Sequence, residues 1–289
     1  MGETRGARIV VAEHAGACYG VERALELTAQ AAATPDRVRT LGPLIHNPRV
    51  VSDLEAQGVF VSDDLESCAG DVVVIRSHGV VPEVVDRARE LGCRVVDATC
   101  PYVKSVHTAA RKLVDEGYRL VIVGEDGHPE VEGIVGHAGG DALVVADEAG
   151  LEGAELGARV GVVVQTTQSI ARLEAVVSAL LSRAREVRVV NTICTATAER
   201  QRAARKLAEQ ADAMVVVGGK NSGNTRRLAE ICRACCDRTY HVESAGELDP
   251  SWFAGCKTVG VTAGASTPSA HIDEVLAALD GLAGGEDGR

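Results

Sequence analysis

The chain has 289 residues, 46% of them hydrophobic, and a net charge of −11 from 30 Lys and Arg against 41 Asp and Glu. A chain of that size buries a large core and is expected to form two or three domains. The acidic balance, the 2% aromatic content and the lack of a basic face exclude a nucleic-acid binder, and no apolar stretch is long enough to span a bilayer.

In chain order, the opening MGETRGARIVVAEHAGA shows no apolar core or small-residue cleavage site of a secretory signal, so a cytoplasmic location is expected. Nine scattered cysteines, an odd number, fit that expectation and form no small disulfide scaffold. Short β-branched runs then recur: RIVVA at 8–12, VVVIR at 72–76, CRVVDA at 93–98, RLVIVG at 119–124 and ALVVA at 142–146. They continue as VGVVVQ at 160–165, VRVVN at 187–191, MVVVGG at 214–219 and KTVGVT at 257–262. Amphipathic helix patterns lie between most of them, among them VERALELTAQAA, PEVVDRARELG, IARLEAVVSALLSRA and SAHIDEVLAALDGL. Short apolar strands alternating with helices predict an α/β architecture with mainly parallel sheets.

An internal repeat refines this. V95-V96-D97-A98-T99-C100 is echoed by V189-V190-N191-T192-I193-C194, and A109-A110-R111-K112-L113 by A203-A204-R205-K206-L207. A strand, a cysteine and a helix segment thus return in register 94 residues apart. Cys18 has a weaker form of the layout, with RIVVA before it and the pattern of residues 21–33 after it. Three similar α/β units follow: 1–100 with Cys18, 101–193, and 194–282, with 283–289 as a disordered tail. Pro101 directly after Cys100 predicts that each cysteine stands where a strand gives way to a helix. There the helix dipole lowers a thiol pKa. Three such thiols can meet on a pseudo-threefold axis and hold a positively charged centre; the alternative is that each packs under its own helix. The residues do not choose between iron–sulfur and zinc.

The remaining cysteines ask for less. Cys68, Cys93 and Cys256 lie beside strands as packing residues. Cys232, Cys235 and Cys236 form C-x2-C-C without a matching ligand pair, which predicts helix packing rather than zinc.

Several strands lead into one kind of loop. His46 stands in LIHNPRVVSDL, Ser77 and His78 in VIRSHGVVPEVV, and His128 and Glu130 in VGEDGHPEVEG. Thr166 and Thr167 stand in VVQTTQSI, Asn221, Ser222 and Asn224 in VVGGKNSGNTRRL, and Ser266 and Thr267 in VTAGASTPSAH. Ligands of parallel α/β sheets bind outside the carboxyl ends of strands, and helix N-termini there hold phosphate. Taken together the loops predict a diphosphate cradle. Lys220 followed by Asn221 is not a Walker loop. His128 and Glu130, two residues apart, are a candidate proton relay. His14, His107, His137, His241 and His271 are expected to be surface or structural.

The stretches GACYGVERA, HNPRVV, SHGV, DATCP, GHPEVEG, QTT, NSGNTRRLAE and VTAGAS occur in this order from Arg8 to about Leu282. In these the chain resembles the 4-hydroxy-3-methylbut-2-enyl diphosphate reductase family of the non-mevalonate isoprenoid pathway. The resemblance implies three α/β domains around a central [4Fe–4S] cluster held by Cys18, Cys100 and Cys194, with the fourth iron open. It implies a two-electron, two-proton removal of the substrate hydroxyl, giving isopentenyl and dimethylallyl diphosphate. His46, His78, His128, Ser222, Asn224 and Ser266 would hold the diphosphate. Glu130 would supply the proton and Thr166 would help place the hydroxyl. Electrons would come from ferredoxin, flavodoxin or an equivalent. Ala17 stands where the family usually has an aromatic residue, and Gly223 where it often has a second serine. A cluster-dependent hydro-lyase acting on another phosphorylated substrate and a non-enzymatic iron–sulfur sensor are the alternatives.

Overall fold

The structure, a computed structural model, describes residues 7–284. Its strands form three four-stranded sheets in which every pair is parallel, the α/β architecture predicted above. The chain divides into two compact units: residues 19–194, and residues 195–284 together with 7–18.

Strand β1 (Arg8–Val11) opens the chain and is followed by helix α1 (Tyr19–Ala32). The first sheet of residues 19–194 contains β2 (Val38–Leu41), β3 (Val59–Ser62), β4 (Val72–Ile75) and β5 (Arg94–Asp97), in the order β3-β2-β4-β5. Helices α2 (Pro48–Ala56) and α3 (Pro82–Glu90) cross between its strands. Helix α4 (Pro101–Asp115) leads to the second sheet: β6 (Arg119–Val123), β7 (Ala142–Val145), β8 (Arg159–Val164) and β9 (Glu186–Val189), in the order β7-β6-β8-β9. Helices α5 (Pro129–His137) and α6 (Ile170–Leu181) belong to it. Helix α7 (Thr195–Ala208) opens the other unit, with α8 (Gly223–Arg233), α9 (Ser269–Gly284) and the strands β10 (Ala213–Val217), β11 (Thr239–Val242) and β12 (Thr258–Ala263).

The third sheet has the order β1-β12-β10-β11. Read from its other edge it is β11-β10-β12-β1, the topology of the first two sheets with β1 in the place of β5 and β9. The N-terminal strand expected to join residues 1–100 therefore completes the sheet of the last segment, pairing Arg8 with Thr258 and Val11 with Val261. The repeat is a permuted one. Each unit ends, not begins, with the strand that leads to a cysteine.

The same pattern of burial recurs. Strands β4, β8 and β10 carry Val-rich runs because helices cover both of their faces, and Val73, Val74, Val162, Val163, Val215 and Val216 are fully buried. Burying each such side chain contributes on the order of 2 kcal/mol. The strands before the cysteines lie at sheet edges and alternate exposed ends with half-buried centres. Edge strands this short offer little template for further pairing. Proline fixes φ and lacks an N–H that the first turn does not use, so it opens α2, α3, α4 and α5. The expected tail lies outside the described residues from residue 285 on; residues 283 and 284 end α9. Among the described residues no helix is long and apolar enough to cross a membrane.

Candidate active site

Each of the three repeat cysteines is half-buried and adjoins a helix N-terminus. Cys100 is the N-cap of α4, and its side chain makes no capping hydrogen bond to the helix. The backbone N–H of each cysteine donates to a carbonyl in the loop after the neighbouring strand. Cys18 bonds Ala265 at 3.0 Å, Cys100 bonds Ser77 at 2.9 Å and Cys194 bonds Thr166 at 3.2 Å. Those loops are three of the polar loops singled out in the sequence, so each thiol is tied by one backbone bond to a loop carrying His78, Thr166 or Ser266. By contrast Cys68, Cys93, Cys232, Cys236 and Cys256 are buried, and burial pushes the Cys232 thiol up to about 12, with the neighbouring Cys235 and Cys236 adding to it. Cys232 and Cys236 pack in the core of α8 and β10, as the packing reading required. Among the described residues no three His, Cys, Asp or Glu side chains are grouped closely enough to hold a single metal ion.

Within residues 19–194, His46, His78 and His128 converge from the ends of β2, β4 and β6. Their ring centroids are 4.2 Å apart for His46–His78, 5.1 Å for His46–His128 and 5.6 Å for His78–His128. Burial lowers the pKa of His78 well below the usual histidine value, and His46, His128 and Arg76 lower it further. His78 is therefore neutral at pH 7, and its Nδ1 is buried without a hydrogen-bond partner among the described residues. A buried polar atom left unbonded beside two further imidazoles marks a place for a ligand.

Glu130, in the first turn of α5, is 1% exposed. Its two carboxylate oxygens accept from the Thr166 backbone N–H at 2.7 Å and from the Thr166 hydroxyl at 2.8 Å. Burial pushes its pKa up to about 7 against the pull of those two bonds. The carboxyl is thus poised between acid and base at neutral pH. The expected His128–Glu130 relay takes a different form. His128 is the N-cap of α5, and its Nδ1 accepts from the backbone N–H of Glu130 at 3.1 Å. The two side chains two residues apart are joined through the main chain, and the carboxylate faces Thr166. That bond leaves the proton of a neutral His128 ring on Nε2.

In residues 195–284, Ser222, Asn224 and Ser266 are buried at 3%, 5% and 8% exposure. Ser222 caps α8 by accepting from the Thr225 N–H at 3.4 Å, and the Ser266 hydroxyl donates to it at 3.4 Å. Both polar atoms of the Asn224 side chain are buried without partners among the described residues. This loop therefore presents neutral donors at the start of α8, where the helix dipole favours an anion.

Other polar residues of the predicted loops have structural tasks. Ser77 turns its hydroxyl to the Leu44 carbonyl, Thr167 accepts from Gln165, and Asn221 is exposed. Lys220 pairs with Glu247. Of the histidines read as surface or structural, one is firmly structural. His107, taken as surface or structural, is 6% exposed and stacks on His137 with ring centroids 4.0 Å apart. A Cβ on Gly79 would lie 3.1 Å from its Cε1, and one on Gly133 3.2 Å from its Nε2. His107 thus fills the seam between the His78 loop and the Glu130 helix, and burial followed by His137 lowers its pKa to about 4. His107 and His137 also line a cavity of about 640 Å³ along α4, which none of the predicted ligands lines.

The sequence matches the LytB protein family over residues 9–280. It is 48% identical over 269 residues to the 4-hydroxy-3-methylbut-2-enyl diphosphate reductase of Pelobacter propionicus, covering 93% of this chain and 96% of that protein. It is 46% identical over 282 residues to the enzyme of the same name from Aquifex aeolicus, covering 96% and 98%. Among solved structures, that of an (E)-4-hydroxy-3-methyl-but-2-enyl diphosphate reductase, described as the terminal enzyme of the non-mevalonate pathway, matches with a TM-score of 0.71 at 46% identity, over 95% of this chain and 99% of that one. The fold is also that of the Plasmodium falciparum E-1-hydroxy-2-methyl-but-2-enyl-4-diphosphate reductase, with a TM-score of 0.89 at 24% identity, over 94% and 87%. With a family match across nearly the whole chain and relatives this similar, the chain belongs to the LytB family of 4-hydroxy-3-methylbut-2-enyl diphosphate reductases.

Proposed function

We propose that the chain removes the hydroxyl of 4-hydroxy-3-methylbut-2-enyl diphosphate reductively, giving isopentenyl and dimethylallyl diphosphate. Two electrons and two protons enter, and the hydroxyl leaves as water. The observation that carries this reading is Glu130: a buried carboxyl with a pKa near 7, held on both oxygens by one threonine. A reaction that must protonate a poor leaving group needs such an acid. The family supplies the substrate's name; the loops supply a reason for its diphosphate.

The donor set fits a [4Fe–4S] cluster. Three half-buried thiols adjoining helix N-termini are soft ligands, and a cluster with three protein ligands keeps one iron open. Cys18, Cys100 and Cys194 would hold it. When bound, the cluster supplies the electrons and a Lewis-acidic iron for the substrate hydroxyl.

The chain's own residues do the rest. His46, His78, His128, Ser222, Asn224 and Ser266 are the diphosphate ligands of this reading. A neutral His78 gains a proton as the anion arrives. Protonated Glu130 donates to the Thr166 hydroxyl across the 2.8 Å contact, which frees the threonine's own proton to turn toward the leaving hydroxyl. The Thr166 N–H stays on the other oxygen throughout and holds the carboxyl in place. Burial disfavours the carboxylate left behind, so Glu130 is driven to take up a proton before the next turnover. A cytoplasmic location and a ferredoxin- or flavodoxin-type electron donor complete the proposal.

The test is iron, acid-labile sulfide and zinc per chain on protein purified without oxygen, followed by electrons consumed per substrate from a reduced dye. We expect about four iron and four sulfide, a sharp loss of both in Cys100→Ser, and two electrons per product. Zinc in place of iron would overturn the cluster. Turnover without electron consumption would move the chain to elimination chemistry, and an intact cluster without turnover would make it a sensor.

A further inference from the structure

The loop that carries Cys18 is gripped from one side by a buried cation. Arg200 of α7 is 7% exposed. Its Nε and Nη2 donate to the Gly16 carbonyl at 3.0 and 2.7 Å, and Nη2 also to the Ala17 carbonyl at 3.0 Å. Nη1 donates to Ala196, one turn back on its own helix, at 2.9 Å. All of these acceptors are backbone carbonyls, and among the described residues no carboxylate pairs with this guanidinium. The opposite side of the same peptide is held as well. The Cys18 N–H donates to Ala265, and the Gly16 N–H to Ala263 at 3.3 Å. Gly16 has φ +90°, and a Cβ there would lie 2.7 Å from Ile272 Cδ1 of α9 and 3.3 Å from the Thr267 carbonyl in the loop after β12, so only glycine lets the turn seat this closely.

A buried charge without an opposite charge costs several kcal/mol. Carbonyl dipoles recover part of that, but a neutral side chain could cap two carbonyls without the cost. A cation is worth keeping where an anionic group comes to stand nearby, and a thiolate-ligated metal site is such a group. We propose that Arg200 is the positioning residue of Cys18: it locks the Ala17–Cys18 peptide and supplies the cation that the thiolate-bound centre lacks. This rests on the reading of Cys18 as a cluster ligand. It also explains how the chain tolerates Ala17 where relatives were expected to carry an aromatic residue, because the guanidinium, not the side chain at 17, fixes the turn.

The experiment uses Arg200→Met and Arg200→Lys in the full chain. In the cluster-free protein, amide exchange at residues 16–18 should rise at least tenfold in Arg200→Met, with Cys100 and Cys194 unchanged. In the loaded protein, the midpoint potential should move to more negative values in Arg200→Met, since the reduced centre loses a neighbouring cation, and Arg200→Lys should return it toward the parent. Unchanged exchange and unchanged potential in Arg200→Met would overturn the proposal. Faster exchange with an unchanged potential would reduce Arg200 to a structural clamp and overturn its electrostatic role. If Arg200→Met does not fold, the loaded Arg200→Lys decides: its shorter ammonium cannot reach both carbonyls, so faster exchange at 16–18 is expected and its absence counts against the proposal. A parent protein that binds no iron refutes the cluster reading instead, and the exchange result still judges the clamp.

Discussion

The loops of residues 19–194 and those of residues 195–284 rise from sheets of the same strand order, yet they carry different chemistry. The first set presents His46, His78, His128 and Glu130, all able to change charge. The second presents Ser222, Asn224 and Ser266, none of which can. A repeated scaffold fixes where a loop stands; the residue types in it decide whether it moves protons or only receives an anion. The first region carries the price in stability: it keeps a carboxyl buried with its pKa raised to about 7, so that it holds a proton water would remove. The second holds its unbonded Asn224 amide at a smaller cost.

The largest expected effect breaks the comparison at Glu130. Glu130→Gln keeps an acceptor for the Thr166 N–H but has no proton to deliver, so turnover should fall by roughly 10²–10⁴-fold with iron and sulfide retained. Unimpaired turnover in that variant would remove Glu130 from the proton path. The same variant has a signature in stability. The folded-state pKa of Glu130 lies above its unfolded value, so the native state binds more protons and stability falls as pH rises from about 4.5 to about 7. Glu130→Gln should be free of that loss. Its stability relative to the parent should climb across this window, by at most about 3 kcal/mol, and level off above it. A difference that does not change with pH, read by urea unfolding, would show that Glu130 is not held protonated.

A change of opposite sign is expected on the neutral side. Asn224→Ala removes two buried unbonded polar atoms, so the free protein should be as stable as the parent or slightly more so. Affinity for inorganic pyrophosphate should nevertheless drop about tenfold, roughly 1.4 kcal/mol. Loss of stability together with unchanged affinity would mean that Asn224 serves the fold and not the ligand.

A smaller effect separates the two regions by their protons. Because burial and its neighbours hold His78 neutral, an arriving anion raises its pKa, and binding should take up protons. Calorimetric titration with pyrophosphate in buffers of different ionisation enthalpy reads this directly. His78→Asn should lose most of the uptake, while Ser222→Ala should keep it despite weaker binding. Equal uptake in both variants would place the protonation elsewhere.

How far the sequence reached follows from the same physics. Runs such as VVVI and AMVVV are legible because strands covered on both faces have no polar positions. Strands β2, β3 and β11 were not predicted: VRTL and TYHV interleave polar residues that only tertiary partners satisfy, as where Arg39 of β2 bonds Asp71 at 2.9 Å, and in β3 the apolar run VFV is only three residues long. The exchange of β1 into the last sheet has no local signal at all, since an edge strand of four residues can complete any parallel sheet that leaves the right side open. At the site, the histidines and Glu130 stand out because polar residues interrupt strand–helix junctions. The use of His128 as a cap, the Glu130–Thr166 pair and the grip of Arg200 are contacts between residues 2, 36 and 184 positions apart, and spacing predicts only the first kind.

The smallest expected effect concerns the cysteines, where the two regions again differ. Cys18, Cys100 and Cys194 are half-buried, and so is Cys235, which has no partner repeat. If exposure alone made a thiol functional, Cys235 would matter as the other three do. It stands beyond the C-terminal end of α8, past Arg233, and not at a helix N-terminus like the other three. Cys235→Ser should therefore change stability by less than about 0.5 kcal/mol and leave the iron content alone. Cys232→Ser, at a fully buried position with its thiol held protonated, should destabilise by about 1–3 kcal/mol by burying a hydroxyl, also without loss of iron. Iron lost from the Cys235 variant at unchanged stability would show that the helix-end position does not select the ligands, and the repeat would lose its claim to have identified them.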